Sequence, residues 1–186
     1  MRNKEIEDII TDGQMSYEEY EYIYNLIKKL SPCNILIFGL GNDSRLWTTI
    51  NKGFTLFVED NQFWIDRIKP LLTGNFEIYD YKYNTLVKNW INYLSNDNIL
   101  DILKMKFSNQ TRNEVVYDTK WDIILIDAPI GCSDESCGRM IPISTTYSLN
   151  KKYILVHDCN RIVENIYTRV FFGNNFKTLD RMRIYE

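Results

Sequence analysis

The chain has 186 residues, 45% hydrophobic and 14% aromatic, the size and apolar content of one globular domain with a substantial core. Eight glycines, four prolines and no low-complexity tract exclude a fibrous or disordered chain. A net charge of −3 without a lysine or arginine stripe argues against nucleic acid as a partner.

Ser16-Tyr-Glu-Glu19 has capping-box spacing, and Tyr20, Ile23, Tyr24, Ile27 and Leu30 recur on one face, which predicts a helix from Tyr17 to Leu30. Residues 1–15 before it are expected to form a loosely ordered arm. Pro32 ends the helix, and the unbroken apolar run Asn34–Phe38 reads as a strand buried on both faces of a parallel sheet. A helix over Arg45–Asn51, a strand over Phe54–Val58, a helix over Gln62–Leu72 and a strand over Phe76–Tyr79 follow. Helices are expected around Thr85–Leu94 and Ile99–Lys106, and the polar stretch Phe107–Thr119 reads as a loop. Trp121–Ile126 is a fourth buried strand, Met140–Leu149 a helix, Tyr153–Val156 a fifth strand and Asn160–Phe172 a helix. Phe176–Leu179 and Met182–Tyr185 then form an antiparallel pair at one edge. The whole chain, residues 1–186, is therefore expected to be one three-layer, Rossmann-like α/β domain with a mostly parallel sheet.

No apolar run approaches the ~20 residues that span a bilayer, and the acidic N-terminus is unlike a secretory signal, so a soluble cytoplasmic protein without a membrane partner is expected. Cys33, Cys132, Cys137 and Cys159 match no zinc spacing and read as reduced thiols.

In an open α/β sheet ligands bind beyond the carboxyl ends of the strands. Polar punctuation follows that rule here: Gly39-Leu-Gly41 after the first strand, Glu59-Asp60 after the second, Asp80 after the third, Asp127 after the fourth and His157-Asp158 after the fifth. Glycines let backbone approach a ligand, and an acid ending the second strand can accept hydrogen bonds from both hydroxyls of a ribose. Gly39, Gly41, Asp43, Ser44, Glu59, Asp60, Asp80 and Asp127 are thus candidates for an adenosine pocket. Ser44 stands where a dinucleotide fingerprint has Gly or Ala, which favours S-adenosylmethionine over NAD. Tyr147 and Lys151 have short-chain-dehydrogenase spacing, but in a chain this rich in tyrosine and lysine the pair carries little weight. Trp47 and Trp64 could stack on adenine or a sugar, but aromatics on an amphipathic helix face read first as core.

The segment Ser31-Pro-Cys-Asn-Ile-Leu-Ile-Phe-Gly-Leu-Gly-Asn-Asp-Ser44 with Trp47, then Val58-Glu-Asp60 with Trp64-Ile65, resembles the plant glucuronoxylan 4-O-methyltransferase family, which includes the irregular-xylem proteins. Trp121-Asp122, Ile126-Asp-Ala-Pro129, Gly131, Gly138-Arg-Met140, Val156-His-Asp158, Asn160-Arg161 and Val163-Glu164 continue the pattern in order. The resemblance covers roughly Ser16 to Phe172 and implies a class I methyltransferase fold, S-adenosylmethionine, and O-methylation of glucuronic acid in a polysaccharide. Departures fall at Asn42, where the family usually has His, in the loop bearing Cys132 and Cys137, and in the lack of the plant enzymes' membrane anchor.

For such a reaction Asp127, His157 and Asp158 are the candidate catalytic residues: the acids position or deprotonate the sugar hydroxyl, with His157 as alternative base or orienter. Arg139 and Arg161 are candidates to clamp the uronate carboxylate of a glucuronic-acid-containing glycan. Asp127, Asp158 and Asn160 form an all-oxygen set that suits a divalent cation such as Mg²⁺. Methylation of another glycan sugar, or an adenosine-pocket domain that only binds glycan or a protein, are the competing readings. The oligomeric state is not legible.

Overall fold

The computed structural model describes residues 2–10 and 15–186. Helix α1 (Lys4–Glu7) precedes α2 (Tyr17–Leu30), β1 (Ile35–Phe38), α3 (Ser44–Ile50), β2 (Phe54–Glu59), α4 (Gln62–Ile68) and β3 (Asn75–Asp80). Short helices α5 (Trp90–Leu94), α6 (Ile99–Ile102) and α7 (Gln110–Asp118) lead to β4 (Trp121–Ile126), α8 (Met140–Tyr147), β5 (Lys151–Val156), α9 (Ile162–Phe172), β6 (Lys177–Leu179) and β7 (Met182–Tyr185). Among the described residues seven strands form one sheet in the order β3-β2-β1-β4-β5-β7-β6. The first five are mutually parallel; β7 pairs antiparallel with both β5 and β6.

The strand side chains explain the three layers. Ile35, Ile37, Phe57, Ile123, Leu125 and Leu155 face one way and pack with Tyr20 and Ile23 of α2, Trp47 of α3 and Ile65 of α4. The alternate residues Leu36, Phe38, Leu56, Val58, Ile124, Ile126 and Val156 face the other way, against Val116 of α7, Ile141 of α8 and Tyr167 of α9. Each such side chain contributes roughly 1.5–3 kcal/mol by leaving water. An unbroken apolar run is what burial on both faces requires.

Four expectations give way. The arm before α2 is not wholly loose: Ile6, Ile9 and Met15 are buried in the first core, while residues 1 and 11–14 lie outside the described residues. The expected loop Phe107–Thr119 holds α7, opened by Asn109, whose side chain accepts the Arg112 N–H; Val116 is its one buried residue, so no apolar periodicity betrays it. Thr85–Leu94 is helical from Val87 on, as a 3₁₀ turn (Val87–Asn89) and then α5. There Thr85 donates to the Cys137 carbonyl, and the Val87 and Lys88 N–H groups to Ser136 and Asp134. The helix expected to reach Lys106 stops at Ile102, and the Met105 N–H turns to Thr145 Oγ1.

The order places the β1 end beside β2 on one flank and β4 on the other. Helices cross from one face of the sheet to the other between these flanks, which opens a crevice above the carboxyl ends.

Candidate functional site

The crevice is a cavity of about 340 Å³, within the range of small-molecule sites. One wall comes from Gly39, Leu40, Gly41, Asp43 and Ser44 after β1, a second from Glu59, Asp60, Asn61 and Trp64 after β2. Asp127, Ala128, Ile130, Arg139, Asp158 and Arg161 close the far side, and Tyr20 reaches in from α2.

The two glycines have different tasks. Gly39 has φ +122°, and a Cβ there would lie 3.1 Å from Ala128 Cβ, so glycine lets the loop pass the β4 end. At Gly41 a Cβ would meet only Asp43 Oδ1, so the absent side chain keeps the cavity wall low. Ser44 Oγ accepts the Gly41 N–H at 3.0 Å and fixes the turn. Burial, then the charge of Asp127, push the Asp43 carboxyl up to about 6.

Glu59 is buried and accepts the Leu40 N–H at 2.8 Å, the Asn61 N–H at 2.8 Å and the Asp60 N–H at 3.1 Å. A carboxylate offers about four acceptor positions, so Glu59 alone cannot take both hydroxyls of a diol; Asp60 beside it supplies the remaining acceptors. Burial raises Glu59 to about 7, with Asp60 adding to the rise against the Asn61 hydrogen bond. Asp80 corrects the sequence reading. It sits on the edge strand β3, is 47% exposed, pairs with Lys82 at 2.9 Å and does not line the cavity.

Opposite this wall lies a dense ionic cluster. His157 Nδ1 is 2.8 Å from Asp127 Oδ1, and its Nε2 faces Glu19 Oε2 at 3.6 Å. Burial opposes a charge on the ring, but the hydrogen bond to Asp127, the Glu19 carboxylate facing Nε2 and the charges of Asp127 and Asp158 outweigh it, raising His157 to about 9. The imidazole is therefore a cation at neutral pH. A charged ring suits the orienting role better than that of general base. Asp127, which burial alone would raise, is held below the usual carboxylate range first by His157 and then by Arg139.

Arg139 also differs from its expected role. Its Nη2 lies 3.1 Å from Asp127 Oδ1 and 2.9 Å from Asp158 Oδ2, and the guanidinium donates to the carbonyls of His157 and Asp127. Only 4% of the side chain is exposed, so it braces the cluster and has no face for a substrate carboxylate. Arg161 pairs with Asp158 at 3.0 Å yet keeps 31% exposure on the cavity wall.

Asp127, His157 and Asp158 bring three ligand-type atoms within 4.8 Å of one another. The charges do not suit a dication. Asp158 Oδ2 takes Arg139 and Arg161, Oδ1 takes Arg181 at 3.2 Å, and His157 carries its own proton. A cation there would face three guanidiniums and an imidazolium. Asn160, the third expected ligand, is exposed and does not line the cavity. Asp158 itself adopts φ +59°, a left-handed conformation that its three arginine partners hold in place.

Sequence reasoning missed Glu19 and Tyr20. Glu19 accepts the Ser16 N–H at 2.8 Å, so its capping-box role conceals its second contact. Tyr20 follows the apolar period of α2, stacks on Trp47 and still borders the cavity. Trp64, read as core, lines the cavity, whereas Trp47 is core. Tyr147 and Lys151 lie at the opposite, amino end of β5, where Lys151 Nζ donates to the Tyr147 carbonyl. The four cysteines are free thiols. Among the described residues no helix is long and apolar enough to cross a membrane.

The chain is similar to solved methyltransferases in fold. A methyltransferase-like protein from Silicibacter pomeroyi matches at TM-score 0.55 and 15% identity, covering 95% of this chain and 88% of that one. The T. thermophilus 16S rRNA N2 G1207 methyltransferase, solved with AdoMet and guanosine, matches at 0.51 and 8%, covering 94% and 43%. The fold is thus that of the class I methyltransferases, with the antiparallel edge pair expected from the sequence. Among sequence relatives, glucuronoxylan 4-O-methyltransferase 2 of Arabidopsis thaliana is 33% identical over 179 residues, covering 88% of this chain and 61% of the relative. Arabinogalactan O-methyltransferase 2 of the same plant is 31% identical, covering 95% and 67%. The chain thus spans about three fifths to two thirds of the length of these relatives. The family model described as IRX15/IRX15L/GXM matches residues 18–185. The chain belongs to the IRX15/IRX15L/GXM family.

Proposed function

We propose that the chain is an S-adenosylmethionine-dependent O-methyltransferase that acts on the 4-hydroxyl of glucuronic acid in a polysaccharide. The observation that carries this reading is the joining of two walls in one cavity. Gly41, Glu59 and Asp60 offer a low backbone wall and paired acceptors suited to a nucleoside, and Asp127 stands across from them, ionised and fixed by His157 and Arg139. Kinship to the glucuronoxylan 4-O-methyltransferases supports the acceptor class.

S-Adenosylmethionine would rest with its ribose on Glu59 and Asp60 and would supply the electrophilic methyl, its sulfur taking the electron pair of the broken S–CH₃ bond. Asp127 accepts a hydrogen bond from the sugar hydroxyl and so aims an oxygen lone pair at the methyl carbon. As the O–CH₃ bond forms the hydroxyl proton becomes strongly acidic. A carboxylate held at low pKa can then still accept it. His157 and Arg139 keep Asp127 charged and oriented, and Arg161 offers a cation to the uronate carboxylate. No step needs a metal ion.

Equilibrium binding of S-adenosylmethionine, followed by a labelled-methyl assay over glucuronic-acid-bearing xylan and arabinogalactan oligosaccharides and their neutral counterparts, tests the reading. Micromolar donor binding with label on uronate acceptors is the expected result. Absence of donor binding, or label on neutral sugars alone, overturns it.

A further inference from the structure

Glu19 is fully buried although it belongs to the first turn of a helix that lies outside the strand-end motifs. Burying a carboxylate is costly unless its oxygens are paired. Its Oε1 accepts the Arg181 N–H at 3.1 Å, just before β7, and its Oε2 accepts the Ser16 N–H. A helix cap needs no more than the Ser16 contact. The same Oε2 also lies 3.6 Å from His157 Nε2, the one nitrogen of that buried ring left without a closer partner. Asp127 holds the other nitrogen at 2.8 Å. The remaining charges around the ring are Asp158, 3.6 Å from Nδ1, and Arg139, which donates to the His157 carbonyl.

We propose that Glu19 is a positioning residue of the methyl-transfer centre, holding His157 from the side opposite Asp127 so that the imidazole fixes the Asp127 carboxylate toward the cavity. Three segments far apart in sequence, the start of α2 and the ends of β4 and β5, thereby form one line of alternating charge: Glu19, His157, Asp127. The first turn of α2 becomes part of the site rather than a support beneath it. The catalytic consequence rests on the proposed function; the link between Glu19 and His157 does not.

His157 is the chain's single histidine, so one imidazole spectrum reports on it without assignment. The test compares ¹⁵N-labelled wild type, Glu19→Gln, Glu19→Ala and Ser16→Ala at neutral pH. Glutamine keeps one oxygen for the capping-box bond to the Ser16 N–H but gives up the acceptor for the Arg181 N–H and the charge that faces His157. Ser16→Ala removes the hydroxyl cap and retains the Glu19 carboxylate. The expected wild-type spectrum has both ring nitrogens protonated, with a deshielded, slowly exchanging Nδ1–H. In Glu19→Gln that proton signal should shift or exchange away, as in Glu19→Ala. With an accepted glycan, kcat should fall at least tenfold while the Kd for S-adenosylmethionine stays within twofold. Ser16→Ala should lower Tm yet keep the wild-type imidazole spectrum and kcat. A wild-type spectrum in Glu19→Gln overturns the proposal, as does a wild-type kcat. Should the wild type methylate nothing in the panel, the function fails, and the imidazole spectra still decide whether Glu19 holds His157.

Discussion

Arg139 Nη2 lies 2.9 Å from Asp158 Oδ2, and neither side chain is more than 6% exposed. Breaking a buried pair by removing one partner costs roughly 3–5 kcal/mol; Asp158 keeps Arg161 and Arg181 at its edge, but both are far more exposed than Arg139. Arg139→Ala also strips donors from the carbonyls of His157 and Asp127. Thermal unfolding should show a Tm lowered by roughly 6–20 °C, the range that such a loss gives a chain of this size. Arg139→Lys should recover little, because a point-like ammonium cannot serve Asp127, Asp158 and two carbonyls at once. A Tm within two degrees of wild type for either variant contradicts the bracing role.

Asp127→Asn preserves shape and removes the charge. Turnover should drop by roughly 10²–10⁴, the usual worth of a positioned proton acceptor, while the Kd for S-adenosylmethionine stays within about threefold. A parallel labelled-methyl assay and calorimetric titration separate the two quantities. Undiminished turnover would remove Asp127 from the mechanism.

The pH dependence of stability follows from His157. Its pKa is raised from 6.5 to about 9 in the fold, so its contribution is complete below about pH 6.5 and is lost as pH climbs through 9. The shift is worth roughly 3 kcal/mol. Asp43 and Glu59, raised to about 6 and about 7, also favour the fold at lower pH; the Asp43 titration is over by about pH 7 and that of Glu59 by about pH 8. Chemical denaturation between pH 8 and 9.5 should therefore show stability falling more steeply in wild type than in His157→Gln, where the buried Cys33 and Cys159 thiols, raised to about 11, still favour the fold at lower pH. On the acid side the order reverses: Asp127 and Glu19 sit below the usual carboxylate range, and their contributions vanish as pH drops through their folded values.

Asp43 lines the cavity with its carboxyl raised to about 6 by burial and by Asp127. A cationic sulfonium donor in the same cavity favours the ionised acid, so binding should release a proton below pH 6. S-Adenosylmethionine affinity should then rise by up to about tenfold from pH 5 to pH 7, by the tenfold-per-unit relation of linkage. In Asp43→Asn the rise should disappear. Calorimetry in buffers of different ionisation enthalpy counts the proton directly, and zero release at pH 5.5 contradicts the assignment.

The layers were legible because each inner strand carries an unbroken apolar run, such as Ile35–Phe38 or Ile123–Ile126, with an acid or a glycine just beyond it. The cavity walls followed from the glycines and acids that end the strands, Asp80 excepted. The pairings inside the ionic cluster did not, since they depend on which side chains the fold brings together. Arg139 is a loop arginine in the sequence and a buried brace in the fold. Asp80 looks equivalent to Glu59 until the sheet edge and Lys82 are seen. Glu19 had a sufficient local explanation at its helix cap, so nothing in the pattern asked for a contact with a residue more than a hundred positions later. Helix α7 escaped because a surface helix with one buried residue has no apolar stripe to read.

For the proposed uronate acceptor, Arg161 is the remaining candidate cation. It stands on the cavity wall with 31% of its side chain exposed; its Nη2 pairs with Asp158, and its buried Nη1 has no hydrogen-bond partner. Asp158 keeps Arg139 and Arg181 if Arg161 is removed, so Arg161→Ala should fold with a Tm close to wild type. A lost charge-assisted contact is worth roughly 1.5–3 kcal/mol, which corresponds to a KM for uronate oligosaccharides raised about 10- to 100-fold. The donor Kd should not change, and reduction of the acceptor's carboxylate to an alcohol should raise KM equally in wild type and have no further effect in Arg161→Ala. If the carboxyl-reduced acceptor distinguishes the two proteins as strongly as the uronate does, Arg161 meets some other part of the sugar.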